Sequence, residues 1–272
     1  VADEVSAESS EKTGILTDAS GQMAVDWKIF IERRAAAAEV RLLGIVDHAS
    51  LMAIQELFVH ETRQRKRLSP AVLVYEHPPT ISVGIHGNLL ELPSDPRELE
   101  SKLISVHRVQ RSGRTIMHQP GQLIVSVVAS LEMMGLSKTE FHSRLQEAVL
   151  LGCSEFQVVT RRSSEDPDII EGRHGIVAEI ATSTDEEITG FGIFLNVSCR
   201  LDEQRLIGRG LLGCRISSLN AERVRPTQMS GVRTALIRTV CEGIGFPEYH
   251  IYTGHPLLKR TRISVHDQSS DH

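Results

Sequence analysis

Zinc ribbons and disulfide frameworks need paired cysteines, and this chain offers none. Its 4 cysteines in 272 residues lie far apart, at Cys153, Cys199, Cys214 and Cys241. No two of them form a C-x-x-C pair, so reduced thiols in an intracellular compartment are the plain reading. The 12 histidines are scattered as well. None forms an H-x-x-x-H pair on a helix face, and neither a metal nor a cofactor is expected. No apolar run approaches the length of a membrane span. A surplus of one charge is missing too: 30 Lys and Arg against 35 Asp and Glu leave a net charge of -5. That balance exerts no general pull on nucleic acid or anionic membrane. No internal repeat of useful length is visible.

What is present is ordinary for a globular protein: 40% hydrophobic and 24% charged residues, with a mean hydropathy of -0.12. Such a chain can bury a substantial core, and one large domain with extensions fits better than two compact ones. The start at Val1 suits a protein whose targeting peptide has been removed. The first twenty residues and the last six, Asp267 to His272, are polar. Alone they should lack order, and a partner surface is the simplest thing to hold them.

Between those ends the pattern alternates strands and helices. Residues 22–46 contain Trp27, Phe30 and an alanine run, Ala35 to Ala38, that leans weakly to helix. From Ala49 to Gln64, Leu51, Ile54 and Phe58 fall at i, i+3 and i+7, the spacing of an amphipathic helix. The basic run Arg63 to Arg67 closes it as a solvated end. Ala71 to Tyr75 reads as a buried strand stopped by Pro78-Pro79, with Ile81 and Val83 continuing it. Leu103 to Val109 and Leu123 to Val128 are two more strands. Ser137 and Glu140 have capping-box spacing. Phe141, Leu145 and Val149 behind them predict a helix of about three turns. Arg161 to Gly172, charged and containing Pro167, should be an exposed loop. Ile176 to Ala181 and Ile188 to Val197 are strands joined at Thr184-Asp185-Glu186. Val232, Leu236 and Val240 define a last core-facing helix, stopped by Gly243 and Gly245. The order predicts an α/β protein of the mixed α+β kind: one mixed sheet with helices against it.

The stretch Arg111-Ser112-Gly113-Arg114-Thr115-Ile116-Met117-His118-Gln119-Pro120-Gly121-Gln122 combines a basic residue, glycines, one imidazole and a Pro-Gly turn ahead of a strand. Glycine permits a turn or a close approach to a ligand, and Pro-Gly sets a tight turn. Arg111 and His118 are placed to meet a small polar group; a loop that merely turns the chain has the same look.

This stretch resembles the R-G-G-x-x-T-x-H-G-P-G-Q signature of the lipoyl(octanoyl) transferase family, with Arg111, Gly113, His118, Pro120, Gly121 and Gln122 in register. Three further blocks resemble that family in order. Glu76-His77-Pro78-Pro79 with Gly84 and Gly87 is similar to E-H-P-P…G-x-x-G. Gly192 with Leu195-Asn196-Val197 is similar to H-G-x-A-L-N-V. Gly210 to Leu219, ending Ser217-Ser218-Leu219, is similar to C-G-x…T-S-L. The resemblance implies a biotin/lipoate protein ligase-like fold over residues 40–250, between a polar extension at 1–39 and a tail at 251–272.

It also implies covalent catalysis, in which a cysteine takes octanoyl from acyl carrier protein as a thioester, beside a lysine. A thiolate is required, and a nearby cation lowers the thiol pKa. The cysteine position falls here on Arg209. The lysine that opens K-I-A-x-I-G falls on Ile176 in Ile176-Val177-Ala178-Glu179-Ile180-Ala181. Arginine forms no thioester, and isoleucine shares no proton. Phe191 replaces a histidine, Phe194 an alanine, Ser112 a glycine, Ile116 a threonine and Gln119 a glycine. A pocket partly filled by Ile176, Phe191 and Phe194 is expected. Cys214, five residues beyond Arg209, is a poor substitute nucleophile, because buried cysteine is usually inert packing. Arg111, Gly113, His118, Gly121, Gln122, Gly192 and Asn196 remain as a pocket remnant. The expectation is a degenerate octanoyl transferase that serves as a structural or interaction subunit on the matrix side of mitochondria, in a ribosome or respiratory complex. Its extensions would contact other subunits. Lys259, Arg260 and Arg262 would touch RNA phosphate or an acidic protein, or simply be solvated. The alternatives are an active octanoyl transferase and a non-catalytic binder of acyl or lipoyl groups.

Overall fold

Ala71–Glu76 and Gln122–Val128 are almost wholly buried along their length, and strands of that kind need cover on both faces. The computed structural model describes residues 15–17, 23–25, 37–88, 92, 96–207 and 215–258. Arg209, Cys214, Lys259, Arg260, Arg262 and most of the N-terminal extension lie outside the described residues. In chain order the elements are β1 (Ile15–Thr17), β2 (Met23–Val25), β3 (Ala38–Ile45), α1 (His48–Arg63), β4 (Ala71–Glu76), β5 (Thr80–Val83), α2 (Pro96–Ser101), β6 (Ser105–Arg108), β7 (Thr115–His118) and β8 (Gln122–Val128). They continue as α3 (Leu131–Met134), α4 (Lys138–Ser154), β9 (Arg161–Arg162), β10 (Ile169–Glu171), β11 (Ile176–Asp185), β12 (Ile188–Asn196), α5 (Met229–Gly243) and β13 (Tyr249–Thr253).

Eight strands form the main sheet in the order β13-β3-β4-β8-β12-β11-β10-β9. β13, β3 and β4 run parallel, and the remaining pairs are antiparallel. Side chains alternate across it. Val72 and Val74 join Val125 and Val127 under α4 and α5, where Phe141, Leu145, Val149, Val232, Leu236 and Val240 meet them. Leu73 and Tyr75 face the other way, toward Leu51, Ile54 and Phe58 of α1. A second sheet, β6-β5-β7, stands apart with Ile81, Val83 and Met117 in its own core. The mixed sheet flanked by helices is the architecture the pattern predicts.

Several details differ from the sequence reading. The alanine run leaning to helix ends in a strand: Ala38 opens β3, and β13 beside it reaches into the segment expected as a tail. Only Ser105–Arg108 of the Leu103–Val109 strand pairs. Leu103 sits in a turn at φ 54° and is largely exposed, because β6 is the edge of a small sheet. The charged stretch 161–172 is not all loop. β10 pairs with β11 and turns Ile170 into the main core, leaving its charges outside. The hairpin between β11 and β12 turns at Glu186 and Glu187, both at positive φ, one residue later than expected. That is the geometry of a two-residue turn usually made by Asn-Gly.

The α4 helix spans 17 residues rather than about three turns. Its capping box is complete: the Ser137 hydroxyl accepts from the Glu140 amide, and the Glu140 carboxylate accepts from the Ser137 amide. Replacing Ser137 with alanine should lower stability by ~1 kcal/mol. Urea unfolding would show this as a shift in midpoint at constant slope.

Candidate functional site

The first part of the signature, Arg111 to Arg114, is a loop between β6 and β7, clamped on two sides. The Gly84 amide donates to the Arg114 carbonyl, the Ile85 amide to that of Arg111, and the Ser112 amide to that of Thr182 on β11. Gly113 turns the loop at φ 77°, a conformation that suits glycine. Arg111 is thereby folded inward and is only 1% exposed. Its Nη1 donates to the carbonyls of Ser112 and Arg114, at 2.9 and 3.0 Å. Its Nη2 donates to the Ser82 carbonyl and hydroxyl, at 3.0 and 2.7 Å.

Ser82 and His118 are diagonal neighbours on paired strands, since Ser82 stands opposite Ile116. The Ser82 hydroxyl meets His118 Nε2 at 2.6 Å, and His118 Nδ1 meets Gln122 Oε1 at 2.7 Å. An amide oxygen only accepts, so Nδ1 carries the proton and Nε2 accepts from Ser82. The relay continues as Gln122 Nε2 donates to Asn196 Oδ1 at 3.0 Å. Arg111, Ser82, His118, Gln122 and Asn196 thus form one directed, buried chain. Burial, with electrostatic repulsion from His77 and the Arg111 guanidinium adding to it, holds the His118 pKa well below the usual histidine range.

Phe194 lies against this chain, its ring 5.3 Å from the His118 ring and 5.4 Å from the Arg111 guanidinium. The bulk expected at that position is there. Phe191 is buried nearby at φ 56°. For a bulky residue that backbone costs ~1–3 kcal/mol and must be held by its surroundings. Ile176 stands at the start of β11 and is 3% exposed. Its amide donates to the Arg215 carbonyl and its carbonyl accepts from the Ser217 amide, both at 2.8 Å. The two remaining remnant glycines have packing duties. Gly121, at φ 93°, donates its amide to Glu76 and accepts from Val197 and Ser198. A side chain at Gly192 would strike the Val125 carbonyl.

A hydroxyl on an imidazole that is itself oriented by a third group is the geometry of an activated nucleophile. Here Ser82 is only 4% exposed, and its oxygen also accepts from Arg111, so the hydroxyl is tied into the relay on both sides. Nothing in the sequence pattern singles out Ser82, one of two hydroxyls in the short strand Thr80–Val83. The pattern also hid an array of imidazoles leading away from His118. The ring of His77 is 5.4 Å from His118, that of His48 6.2 Å from His77, and that of His107 stacks on His48 at 4.2 Å. Among the described residues no group of three or more His, Cys, Asp or Glu has the arrangement to hold a metal ion. Cys153, Cys199 and Cys241 are buried, and burial pushes each thiol up to about 12, the opposite of an activated thiolate.

Comparison with known proteins places this geometry. Residues 47–240 match the model of the lipoyl protein ligase A/B catalytic domain. An octanoyltransferase from Syntrophobacter fumaroxidans is 31% identical over 179 residues, covering 65% of this chain and 78% of that protein. One from Polynucleobacter asymbioticus is 28% identical over 173 residues, covering 60% and 77%. Among solved structures, a bipartite lipoate protein ligase from Thermoplasma acidophilum superimposes with a TM-score of 0.63 at 16% identity, over 81% of this chain and 88% of its own. Lipoate-protein ligase A bound with ATP gives 0.64 at 18% identity, over 82% and 91%. The structural likeness establishes the shared biotin/lipoate ligase-like fold. The sequence matches go further: this chain belongs to the lipoyl protein ligase A/B catalytic-domain family.

Proposed function

We propose that this chain is a catalytically silent member of its family that acts as a structural and interaction subunit of a multiprotein assembly in the mitochondrial matrix. The observation that carries this reading is Ile176. The position given to lysine by resemblance holds an apolar side chain that is 3% exposed, with its backbone paired to residues 215 and 217. No amine is available there to share a proton with a thiol. Two further facts support it. Both Nη groups of Arg111 and the Nε2 lone pair of His118 are engaged within the protein, and Phe194 packs against both side chains.

One observation favours a second reading, an active octanoyltransferase: the curated relatives carry that name. In that case a thiolate would attack the octanoyl thioester of acyl carrier protein. The carrier thiolate would leave, and a new thioester would form on the chain. Incubating the full chain with octanoyl-acyl carrier protein and measuring its intact mass separates the two. The expected spectrum shows no octanoyl adduct. A hydroxylamine-labile adduct, on Cys214 or any other cysteine, overturns the silent reading. For the assembly, the chain should sediment from matrix extracts with a high-mass particle, through surfaces that include its terminal segments. Sedimentation as a free monomer would count against it.

A further inference from the structure

Beside the start of the signature loop, α1 and the β11–β12 hairpin border a half-open pocket of about 640 Å³, with Arg108, Val109 and Gln110 on its third side. Its volume falls within the range of small-molecule sites, ~300–1,000 Å³. Arg111, Gly113, His118, Gln122 and Asn196 do not line it.

Four features of its lining define a ligand. Met52, Val59, Ile188 and Phe191 supply apolar wall. Gln55 reaches it from α1 and is 8% exposed, yet its Oε1 accepts no hydrogen bond. An unmet acceptor at that depth is costly unless something donates to it. Its amide end lies against Gly190, where a Cβ would stand 2.7 Å from Gln55 Nε2, so the absence of a side chain at 190 makes the room for the carboxamide. At the rim the charges are unevenly engaged. Arg63 is held by both Asp185 and Glu186, whereas Arg108 makes no ion pair among the described residues. Phe191 holds its wall position through a left-handed backbone in mid-strand, and strain of that kind collects at ligand sites.

We propose that this cavity binds a small, mainly apolar monoanion that carries one N–H or O–H donor. The anionic head pairs with Arg108, the donor meets Gln55 Oε1, and the body lies on Met52, Val59, Ile188 and Phe191. Polyphosphates are disfavoured, because among the described residues the rim offers one guanidinium without an ion pair, alongside Glu56. The site does not depend on whether the chain transfers acyl groups, so the mass test above leaves it untouched.

The probe is 8-anilinonaphthalene-1-sulfonate, an aromatic sulfonate with one N–H donor. Fluorescence titration of the full chain, with equilibrium dialysis for stoichiometry, should give one saturable site. Arg108→Glu should weaken it at least tenfold. Ser183→Phe, which fills the cavity from the hairpin side, should abolish it while near-ultraviolet circular dichroism stays native. Gln55→Leu should weaken binding and also raise Tm of the unliganded chain by ~2–4 °C, since the unmet acceptor is gone. Unsaturable binding, or a saturable site unaffected by Arg108→Glu and Ser183→Phe, overturns the proposal. A Gln55→Leu chain that binds as before removes the donor from the ligand's description and overturns that part of it.

Discussion

Replacing Arg111 with methionine should cost the folded chain ~3–5 kcal/mol, the range of a broken buried polar network. Methionine fills much of the volume but donates nothing. The Ser82 carbonyl and hydroxyl then lose their charged donor inside the protein, the Ser112 carbonyl must turn to water, and that of Arg114 keeps only the Gly84 amide. Each acceptor left dry costs ~1–3 kcal/mol, and the contact over Phe194 is lost as well. Thermal melting should register a fall in Tm of ~10 °C, at ~2–4 °C per kcal/mol for a chain of this size. Lysine should recover only part of the loss, because an ammonium lacks the planar fork that reaches carbonyl and hydroxyl together. If Arg111→Met unfolds within ~1 kcal/mol of the parent, the network around Ser82 is not what holds the loop.

Mild acid should destabilise the protein well before its carboxylates titrate. His48, His77 and His118 are all held neutral, each mainly by burial. His48 is lowered to about 4, His77 is lowered, and His118 lies well below the ordinary value of 6.5. A histidine with a depressed folded pKa binds its proton better when unfolded. Stability is therefore complete above pH 6.5 and drains away as pH falls from 6.5 toward the folded values. Each group contributes at most ~1.4 kcal/mol per pH unit within that window. His48 is partly exposed and counts for less, so a loss of ~3 kcal/mol between pH 7.5 and 5.5 is expected for the three together. Urea unfolding at the two pH values measures it. His77→Gln keeps an N–H for the Val46 carbonyl that Nδ1 now meets at 2.5 Å, and should flatten the pH dependence by about a third. Equal stability at both pH values would mean that these imidazoles are hydrated.

Much of the scaffold was legible in the residues, for identifiable reasons. β4 and β8 are apolar on both faces because helices cover both sides of the sheet, and runs such as Ala71 to Tyr75 advertise that burial directly. α1 shows its i, i+3, i+7 stripe, and α4 its capping box, because both depend on near neighbours in sequence. The hairpin turn was misplaced because Glu186 and Glu187 occupy positive φ without the Asn-Gly signal. β10 was missed because two isoleucines inside a charged stretch look like a loop until β11 is beside them. In the site, Arg111, His118, Gln122 and Asn196 were readable from the resemblance, and the structure does bring them together. Ser82, which joins the first two, was not readable. Nor was Gln55, whose significance lies in a hydrogen bond it fails to make.

The pairing of β13 with β3 has a consequence for synthesis. β3 lies near the front of the described chain and β13 near its end, yet they are adjacent and parallel. A polypeptide emerging from the ribosome can lay β3 against β4 early, but the outer side of β3 waits for residues 249–253. Until then Ala38 to Leu42 is an open edge, apolar enough to capture another strand. Among the described residues, the strand made last is the one that shields the first strand of the main sheet.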